Sequence, residues 1–326
     1  MIVKNRHGEN ILTQSKLGVN AVQLKAIKLM LKYLGKIYRF AGVDNLTKKN
    51  SVKDHSFQML KMADYIAESL NDEEDKIKLR MICLLHDFGE VAGELTVVND
   101  DLNGKRILSS RDKVKIEADV FYIMTNLALD AVKTDNHSLF EQTLHILKEV
   151  VSAGAQKDSF DKHKKFINED SDFVGLSDIY TEKSLNKMLV TFFRALDRSE
   201  GTIYFCEHSE DVDLMNDDFV QKNIEYNMKS LYATLPKHLG DREDYINTFK
   251  KVKCVLKTAV RRFKQLCRFN NYGVLDLVND CMGRYYTWGD DEYIYYIKRW
   301  TLLDMFKVLT GEFKVYNKLS EVYNGK

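Results

Sequence analysis

The scarcity of helix-breaking residues constrains this chain more than any other feature of its sequence. Its 326 residues include one proline, Pro236, and only 16 glycines. Proline removes a backbone donor, and glycine costs a helix about 1 kcal/mol relative to alanine. A chain that nearly lacks both residues can therefore run through many long helices. Segments with the period-two alternation of strands are scarce as well, and we predict an all-α protein.

The composition is that of a globular chain with a large core and little overall charge. Hydrophobic residues make up 44%, and 49 basic residues against 48 acidic ones give a net charge of +1. This balance gives no overall electrostatic reason to bind nucleic acid or a membrane. No apolar run approaches the roughly 18 residues that span a bilayer, and the first residues do not resemble a secretion signal. The five cysteines form no CxxC pair and are odd in number, which indicates free thiols in a reducing compartment. We therefore predict a cytoplasmic protein.

Hydrophobic periodicity predicts helices along most of the chain. The first twelve residues look polar and loose, and a loop is predicted over residues 39–54. A helix is expected to open at His55, and after a polar turn a uniformly apolar helix is expected in the core. The predicted helices cover residues 20–38, 55–71, 77–89, 112–129, 139–151 and 184–205, with several more after residue 211.

Three of these predicted helices carry side chains that can bind a metal. His55 opens one helix, the pair His86 and Asp87 closes the next, and Asp197 lies near the end of a third. Imidazole and carboxylate ligands together suit Mn, Fe, Co, Ni, Zn or Mg rather than an ion that prefers thiolates. A single His-Asp dipeptide is a weak signal, because such pairs arise by chance. The ordered set of ligands on apolar helices strengthens it.

Glu90 follows His86 by one helical turn and is expected to project beside the metal. Four protein ligands would leave coordination positions for water and for a phosphate oxygen. A metal there polarises the phosphoryl group and lowers the pKa of the attacking water. Glu90 could then orient or deprotonate that water without binding the metal.

The ligand order resembles that of the HD-domain phosphohydrolase superfamily, in which a His, a His-Asp pair and a distal Asp hold the metal. The resemblance rests on "SVKDHS", "ICLLHDFGEVAGEL" and "FFRALDRSEG", and it is closest to the 5'-deoxynucleotidase branch. It implies an HD-domain helical bundle whose metal ligands are His55, His86, Asp87 and Asp197. The family's glutamate three residues after His-Asp corresponds to Glu90. The arginine that contacts the substrate phosphate corresponds to Arg39, sixteen residues before His55.

The resemblance covers residues 20–210 and departs from the branch at two positions near the motifs. The branch usually has "TGD" after the glutamate, with a catalytic Asp, whereas this chain reads "VAGEL" and offers Glu94. The branch often has a Trp near the sugar, and here the residue is Phe40. The segment between His-Asp and the distal Asp is also longer. The domain prediction is an N-terminal segment (1–19), an HD domain (20–210, with an insertion of about 99–184) and a helical C-terminal extension (211–326).

The resemblance implies a metal-dependent phosphohydrolase that acts on nucleotides, with (deoxy)nucleoside 5'-monophosphates as the expected substrates. Hydrolysis of a dNTP to release triphosphate, and hydrolysis of a signalling nucleotide such as a cyclic dinucleotide or (p)ppGpp, are alternative activities. A non-catalytic nucleotide-binding or regulatory protein would be expected to lose one of the four ligands, and all four are present. The expected partners are a nucleotide substrate and a second copy of the chain in a homo-oligomer, with neither a membrane nor nucleic acid.

Other candidate sites are interpreted as structural. His137, His145 and His163 lie between the ligand motifs, where some HD phosphodiesterases hold a second metal, and we interpret them as unrelated to the site. The basic segment 251–268 could bind nucleic acid or polyphosphate, and a solvated helix face balanced by acids is the preferred interpretation. The aromatic segment 284–300 is interpreted as core or subunit interface rather than as a surface that stacks bases.

Overall fold

The structure is a computed structural model that describes residues 1–39, 48–93, 110–152, 187–208 and 242–269. Within these ranges the regular structure is helical, with eight α-helices, one 3-10 helix and two isolated bridges. The all-α prediction is therefore confirmed for the described residues. The helices are α1 (Gln14–Leu17), α2 (Ala21–Leu34), α3 (Val52–Ala67), α4 (Glu73–Leu85), the 3-10 helix (Phe88–Ala92), α5 (Ser110–Thr134), α6 (Ser138–Ser152), α7 (Lys187–His208) and α8 (Glu243–Phe269).

Side-chain caps fix where α2 and α4 begin. Asn20 and Gln23 form a reciprocal capping box, in which each side chain accepts a hydrogen bond from the other residue's amide at 2.9 Å. Asp72 caps α4 by accepting from the amide of Glu74 at 2.9 Å. The acidic side chains in the first turn of α4 also interact favourably with the positive end of the helix dipole. Helix α4 consequently begins at Glu73, four residues before the predicted start.

Helix α3 also begins earlier than predicted, because Ser51 caps it. The Ser51 hydroxyl accepts from the amide of Asp54 at 3.1 Å and donates to the Asp54 carboxylate at 2.6 Å. The helix starts at Val52, so the prediction that His55 opens it is wrong by three residues. The predicted loop accordingly loses its last residues to the first turn of α3.

The first compact unit contains helices α1 to α6 and the 3-10 helix. Helix α2 packs against α5 and the 3-10 helix, α5 packs against α6, and α3 packs against α4. The core is filled by side chains that are almost completely buried, among them Phe88, Phe121 and Phe140. Burial of such apolar surface contributes about 25 cal/mol per Å² to folding. This core holds the ends of α3 and α4 in place.

The N-terminal segment belongs to this core, so the expectation that it is loose is wrong. Val3 and Ile11 are 3% and 0% exposed, and the amide of Ile11 donates to the carbonyl of Val3 at 2.8 Å. Asn10 turns the chain back by accepting from the amide of Val3. The Asn5 amide group donates to the Asp64 carboxylate of α3 at 3.0 Å.

The second compact unit comprises residues 42–48, 68–71 and 187–326 and includes α7 and α8. These two helices pack together, with Phe192 edge-on to Tyr245 at 6.1 Å between ring centroids. Asp244 accepts from the amide of Asn71 at 3.2 Å. The Arg242 guanidinium, hydrogen-bonded to Asp244, holds the pKa of that carboxyl below its ordinary value.

Among the described helices, none is both long enough and apolar enough to cross a bilayer.

Candidate metal centre

Helices α3 and α4 bring three of the predicted metal ligands to one end of the first unit. The two helices pack side by side and are joined by a short connection, so the start of α3 lies near the end of α4. His55 is in the first turn of α3, and its amide donates to the carbonyl of Ser51 at 3.0 Å. His86 is the C-cap of α4, and Asp87 follows it. The sequence therefore folds so that the helix ends carry the ligands.

The three side chains meet at their ligating atoms. The Nε2 atoms of His55 and His86 are 3.2 Å apart, and their rings are 71° from coplanar. The Asp87 carboxylate lies 3.4 Å from His55 Nε2 through Oδ2 and 3.3 Å from His86 Nε2 through Oδ1. His55 is completely buried, whereas His86 and Asp87 are partly exposed. The cluster therefore has one dry side and one side open to a ligand.

A backbone hydrogen bond orients the His86 ring. Its Nδ1 lies 3.2 Å from the carbonyl oxygen of Cys83, one turn earlier in α4. A carbonyl can only accept, so Nδ1 carries the proton in the neutral ring and Nε2 presents its lone pair to the cluster. Metal-binding histidines commonly have this arrangement, in which the second nitrogen fixes the tautomer.

The geometry and chemistry of the three side chains fit a divalent metal. Two atoms that are each about 2.1 Å from one ion are about 3.0 to 3.4 Å apart at octahedral or tetrahedral angles. The observed separations between the two Nε2 atoms and the carboxylate oxygens are 3.2 to 3.4 Å. Two imidazoles and one carboxylate are ligands for Zn, Fe, Mn, Co or Ni. The prediction that His55, His86 and Asp87 act together is consistent with this arrangement.

The segment that follows the ligands is a 3-10 helix rather than a continuation of α4. Helix α4 ends at Leu85, and the amide of Glu90 donates to the carbonyl of Asp87 at 3.0 Å. Gly93 ends the 3-10 helix with φ 138°, a backbone conformation that residues other than glycine rarely adopt. The predicted helix over 77–89 is therefore too long at this end.

This local geometry changes how Glu90 is placed. Residues three apart are aligned on a 3-10 helix, so Glu90 lies above Asp87 rather than one α-helical turn above His86. Glu90 is 8% exposed. A carboxylate in this position is shielded from bulk water. That Glu90 projects beside the metal stays a prediction.

Arg39 is held beside the start of α3 by a short antiparallel pairing. Its amide donates to the carbonyl of Asn50 at 2.8 Å, and the amide of Val52 donates to the carbonyl of Ile37 at 2.9 Å. Arg39 is partly exposed and lies in the first unit with His55. The two other predicted site residues, Phe40 and Glu94, lie outside the described residues.

Asp197 belongs to the second unit. It lies in the middle of α7 rather than near a helix end, and its carboxylate is 17% exposed. Arg198 Nη1 is 3.8 Å from Asp197 Oδ2. Buried apolar residues precede Asp197 in the helix, Phe193 and Leu196 among them.

The three histidines considered for a second metal do not share a buried site among the described residues. The side chain of His145 is 75% exposed and lies 3.3 Å from Glu149, one turn later in α6. His137 precedes α6, and its carbonyl accepts from the amide of Glu141. His163 lies outside the described residues.

The basic helix α8 pairs two of its cations with carboxylates of the second unit. Lys251 Nζ lies 2.9 Å from Glu68, and Arg262 Nε lies 2.9 Å from Glu207. Burial lowers the pKa of Lys253, and the neighbouring charge of Lys257 adds to the effect. The aromatic segment 284–300 lies outside the described residues.

A family model matches the part of the chain that contains the candidate ligand cluster. Residues 52–152 match the HD domain. The match includes His55, His86, Asp87 and Glu90, whereas Arg39 and Asp197 lie outside it. HD domains bind divalent metals and generally belong to hydrolases. Searches of the curated proteins and of the solved structures found no significant match.

The sequence interpretation missed two positions that support the candidate ligands. Ser51 caps α3, and the signal for it is the Ser-x-x-Asp pattern of residues 51–54, which resembles a capping box. The Cys83 carbonyl orients the His86 ring. A carbonyl leaves no mark on the sequence, and only the position of His86 at a helix end indicates that the contact is available.

Proposed function

We propose that this protein is a metal-dependent phosphohydrolase that releases phosphate from nucleotides, with (deoxy)nucleoside 5'-monophosphates as the preferred substrates. One observation carries the proposal. Within the segment that matches the HD domain, His55, His86 and Asp87 bring two imidazole nitrogens and a carboxylate to separations of 3.2 to 3.4 Å. The preference for 5'-monophosphates rests on the resemblance of the motifs to the 5'-deoxynucleotidases.

In this proposal His55, His86 and Asp87 hold a divalent metal, and Asp197 is the fourth ligand by its place in the motif order. The metal could be Mn, Co, Mg, Zn, Fe or Ni, because imidazoles and carboxylates accommodate all of them. When bound, such an ion polarises the phosphoryl group and lowers the pKa of water. The His86 tautomer that Cys83 fixes keeps a lone pair available for this role.

The remaining site residues position the water and the phosphate. Glu90 is shielded from solvent and aligned with Asp87, so its carboxylate can accept the proton of the attacking water. Glu94 is proposed to share this role. Arg39 is proposed to neutralise the phosphate, because a guanidinium can bind two phosphate oxygens at once. Phe40 is proposed to pack against the sugar.

The first test is phosphate release by the purified protein, with products identified by mass. The panel contains nucleoside 5'-monophosphates, dNTPs, cyclic dinucleotides and ppGpp, each with Mn, Co or Mg. We expect orthophosphate from the monophosphates. His86→Gln, Asp87→Asn and Glu90→Gln should each lower kcat/KM by at least about 100-fold, the scale on which acid–base and metal ligands contribute.

His145→Gln is the matched control, because it replaces an exposed histidine of the same unit. It should retain the activity of the unmodified protein. Triphosphate from a dNTP, or hydrolysis of a cyclic dinucleotide or ppGpp, would assign the alternative substrates to the same site. Absence of turnover in a folded protein that binds Mn or Co would indicate the non-catalytic, nucleotide-binding role.

A further inference from the structure

Asn50, the residue before the Ser51 cap of α3, has an unusual environment. Its side chain is 5% exposed, and its Nδ2 is buried without a hydrogen-bond partner among the residues that the structure describes. A buried donor left in this state costs about 1 to 3 kcal/mol. Nearly all buried polar groups in native proteins have a partner. The amide group of Asn50 is therefore expected to have one that belongs neither to α3 nor to its described neighbours.

The assignment of the two amide atoms does not remove this mismatch. Exchanging nitrogen and oxygen, a common ambiguity of asparagine side chains, would put a buried acceptor where the buried donor now lies. The backbone of Asn50 is accounted for, because its carbonyl accepts from the amide of Arg39 at 2.8 Å. The unsatisfied hydrogen-bond donor therefore belongs to the side chain.

The antiparallel pairing at this position puts Asn50 and Arg39 on the same side of the chain. Tyr38 pairs with Ser51, which makes Arg39 and Asn50 direct opposites across the pairing. Side chains that face each other across an antiparallel pair point to the same face, with Cβ atoms about 5 Å apart. Tyr38 points to the other face and is 48% exposed. The side chains of Asn50 and Arg39 therefore leave the backbone on the same face of this pairing.

The pairing leads directly into the helix that carries the first candidate ligand. Ser51 is the cap of α3, and its carbonyl accepts from the amide of His55 at 3.0 Å. Asn50 is thus a little over one turn before the first ligand, at the positive end of the α3 dipole. A ligand between Arg39 and Asn50 would meet a guanidinium and amide donors, and a helix terminus that favours anions.

We infer that Asn50 is a substrate-binding residue whose amide donates to an oxygen of the phosphate group that Arg39 neutralises. The inference rests on the proposed function and adds a residue to it. Phosphate is the chemical class that fits, because it is anionic and presents several acceptors to donors on one face. In this role the amide of Asn50 gains its hydrogen-bond partner, a phosphate oxygen, only when the substrate binds.

Binding and stability of the metal-free protein test this role. With EDTA present, the affinities for inorganic phosphate and for a deoxynucleoside 5'-monophosphate are measured by calorimetry, and melting temperatures are measured without ligand. We expect Asn50→Ala to weaken binding of the monophosphate by about 10- to 100-fold, the range for a hydrogen bond to a charged group. Asn50→Asp should weaken it further, because a carboxylate repels the phosphate. Asn50→Ala should not lower the melting temperature.

Asn10→Ala is the matched control. The Asn10 side chain accepts from the amides of Val3 and Leu12, so its loss should lower the melting temperature and leave phosphate affinity unchanged. The inference is overturned if Asn50→Ala behaves like this control, which would assign its amide to a structural water. It is also overturned if the unmodified protein binds neither probe.

Kinetics separate this inference from the proposed function. In the metal-loaded protein Asn50→Ala should raise KM for the substrate by about tenfold with a smaller change in kcat, the pattern of lost ground-state binding. Turnover with an unchanged KM in Asn50→Ala would reject the role of Asn50 and retain the phosphohydrolase. Phosphate binding that depends on Asn50 in a protein without turnover would retain Asn50 and reject the catalytic proposal.

Discussion

Tyr33 is the residue whose ionisation is most clearly linked to folding. It lies in α2 with 8% of its surface exposed, and its hydroxyl donates to Glu141 of α6 at 2.6 Å. Burial, together with the hydrogen bond to the Glu141 carboxylate, raises the pKa of Tyr33 to about 12. The ring also packs 5.1 Å from Phe140. The neutral phenol therefore contributes to the attachment of α6.

Replacing Tyr33 with phenylalanine should change how stability depends on alkaline pH. The folded pKa lies above the ordinary value of about 10, so the contribution of the phenol is complete below pH 10 and is lost as pH rises toward 12. Between pH 8 and pH 11 the unmodified protein should lose about 1 kcal/mol more unfolding free energy than Tyr33→Phe. Urea unfolding at both pH values measures the difference. Equal losses in the two proteins would contradict the assignment.

At the scale of elements, a buried ion pair fixes α3 against α4. Arg80 Nε donates to Asp64 Oδ1 at 2.9 Å, and the two side chains are 4% and 2% exposed. Lys16 lies 3.9 Å from the same oxygen, and Asn5 binds the other oxygen. The pair lies along the same helix–helix contact that brings His55 to His86. It therefore sets the alignment of the two helices on which the ligand cluster depends.

Removing one partner of this ion pair should lower the free energy of unfolding more than replacing both partners with apolar residues. Asp64→Ala leaves a buried guanidinium without its carboxylate and should lower the unfolding free energy by about 3 to 5 kcal/mol. The double variant Asp64→Leu/Arg80→Met removes both charges and should be more stable than Asp64→Ala. Denaturant unfolding of the single and double variants gives the coupling energy.

The exposed pair of Glu74 and Lys78 in α4 provides the control for this comparison. Glu74→Ala should cost less than about 1 kcal/mol, because solvent screens surface ion pairs. A loss in Asp64→Ala no larger than in Glu74→Ala would show that the buried pair does not determine how α3 and α4 pack.

The helices of this protein were predictable from sequence, and their ends were less so. Apolar spacing identified α2, α3 and α4, because each buries one face in the core. The same spacing extended α4 to Gly89, since a 3-10 helix continues the apolar pattern while it tightens the turn. The candidate ligands and their order along the chain were also readable from the sequence. The alignment of Glu90 with Asp87 was not, because it depends on that change of helix type.

At the scale of the whole molecule, a net charge near zero conceals an uneven distribution. Residues 10–43 contain no acidic residue and include six basic ones. Lys25, Lys28 and Lys32 lie on one face of α2 by their spacing, and Lys36 follows one turn later. Lys32 and Lys36 both lie within 5.6 Å of the Tyr33 ring centre. Arg39 ends this basic segment beside the start of α3.

This segment should speed the association of anionic substrates at low salt. Lys25→Gln/Lys32→Gln removes two charges, and we expect kcat/KM for a nucleotide to fall by about two- to fivefold at 20 mM salt, where the screening length is about 20 Å. The difference should disappear at 0.5 M salt. Lys76→Gln/Lys78→Gln, which neutralises two lysines that pair with carboxylates on α4, should show little effect. A loss that persists at high salt would point to a direct contact instead.

The hydrogen bond between Tyr33 and Glu141 joins residues that the ribosome makes at well-separated times. The two residues are 108 positions apart, and α2 buries its apolar face against helices made after it. At about 5 to 20 residues per second, a ribosome needs about 5 to 20 s to extend the chain from one residue to the other. During that interval Ile27, Met30 and Leu34, completely buried in the finished fold, have no completed core to enter. The nascent chain is therefore expected to depend on chaperones until α6 has been made.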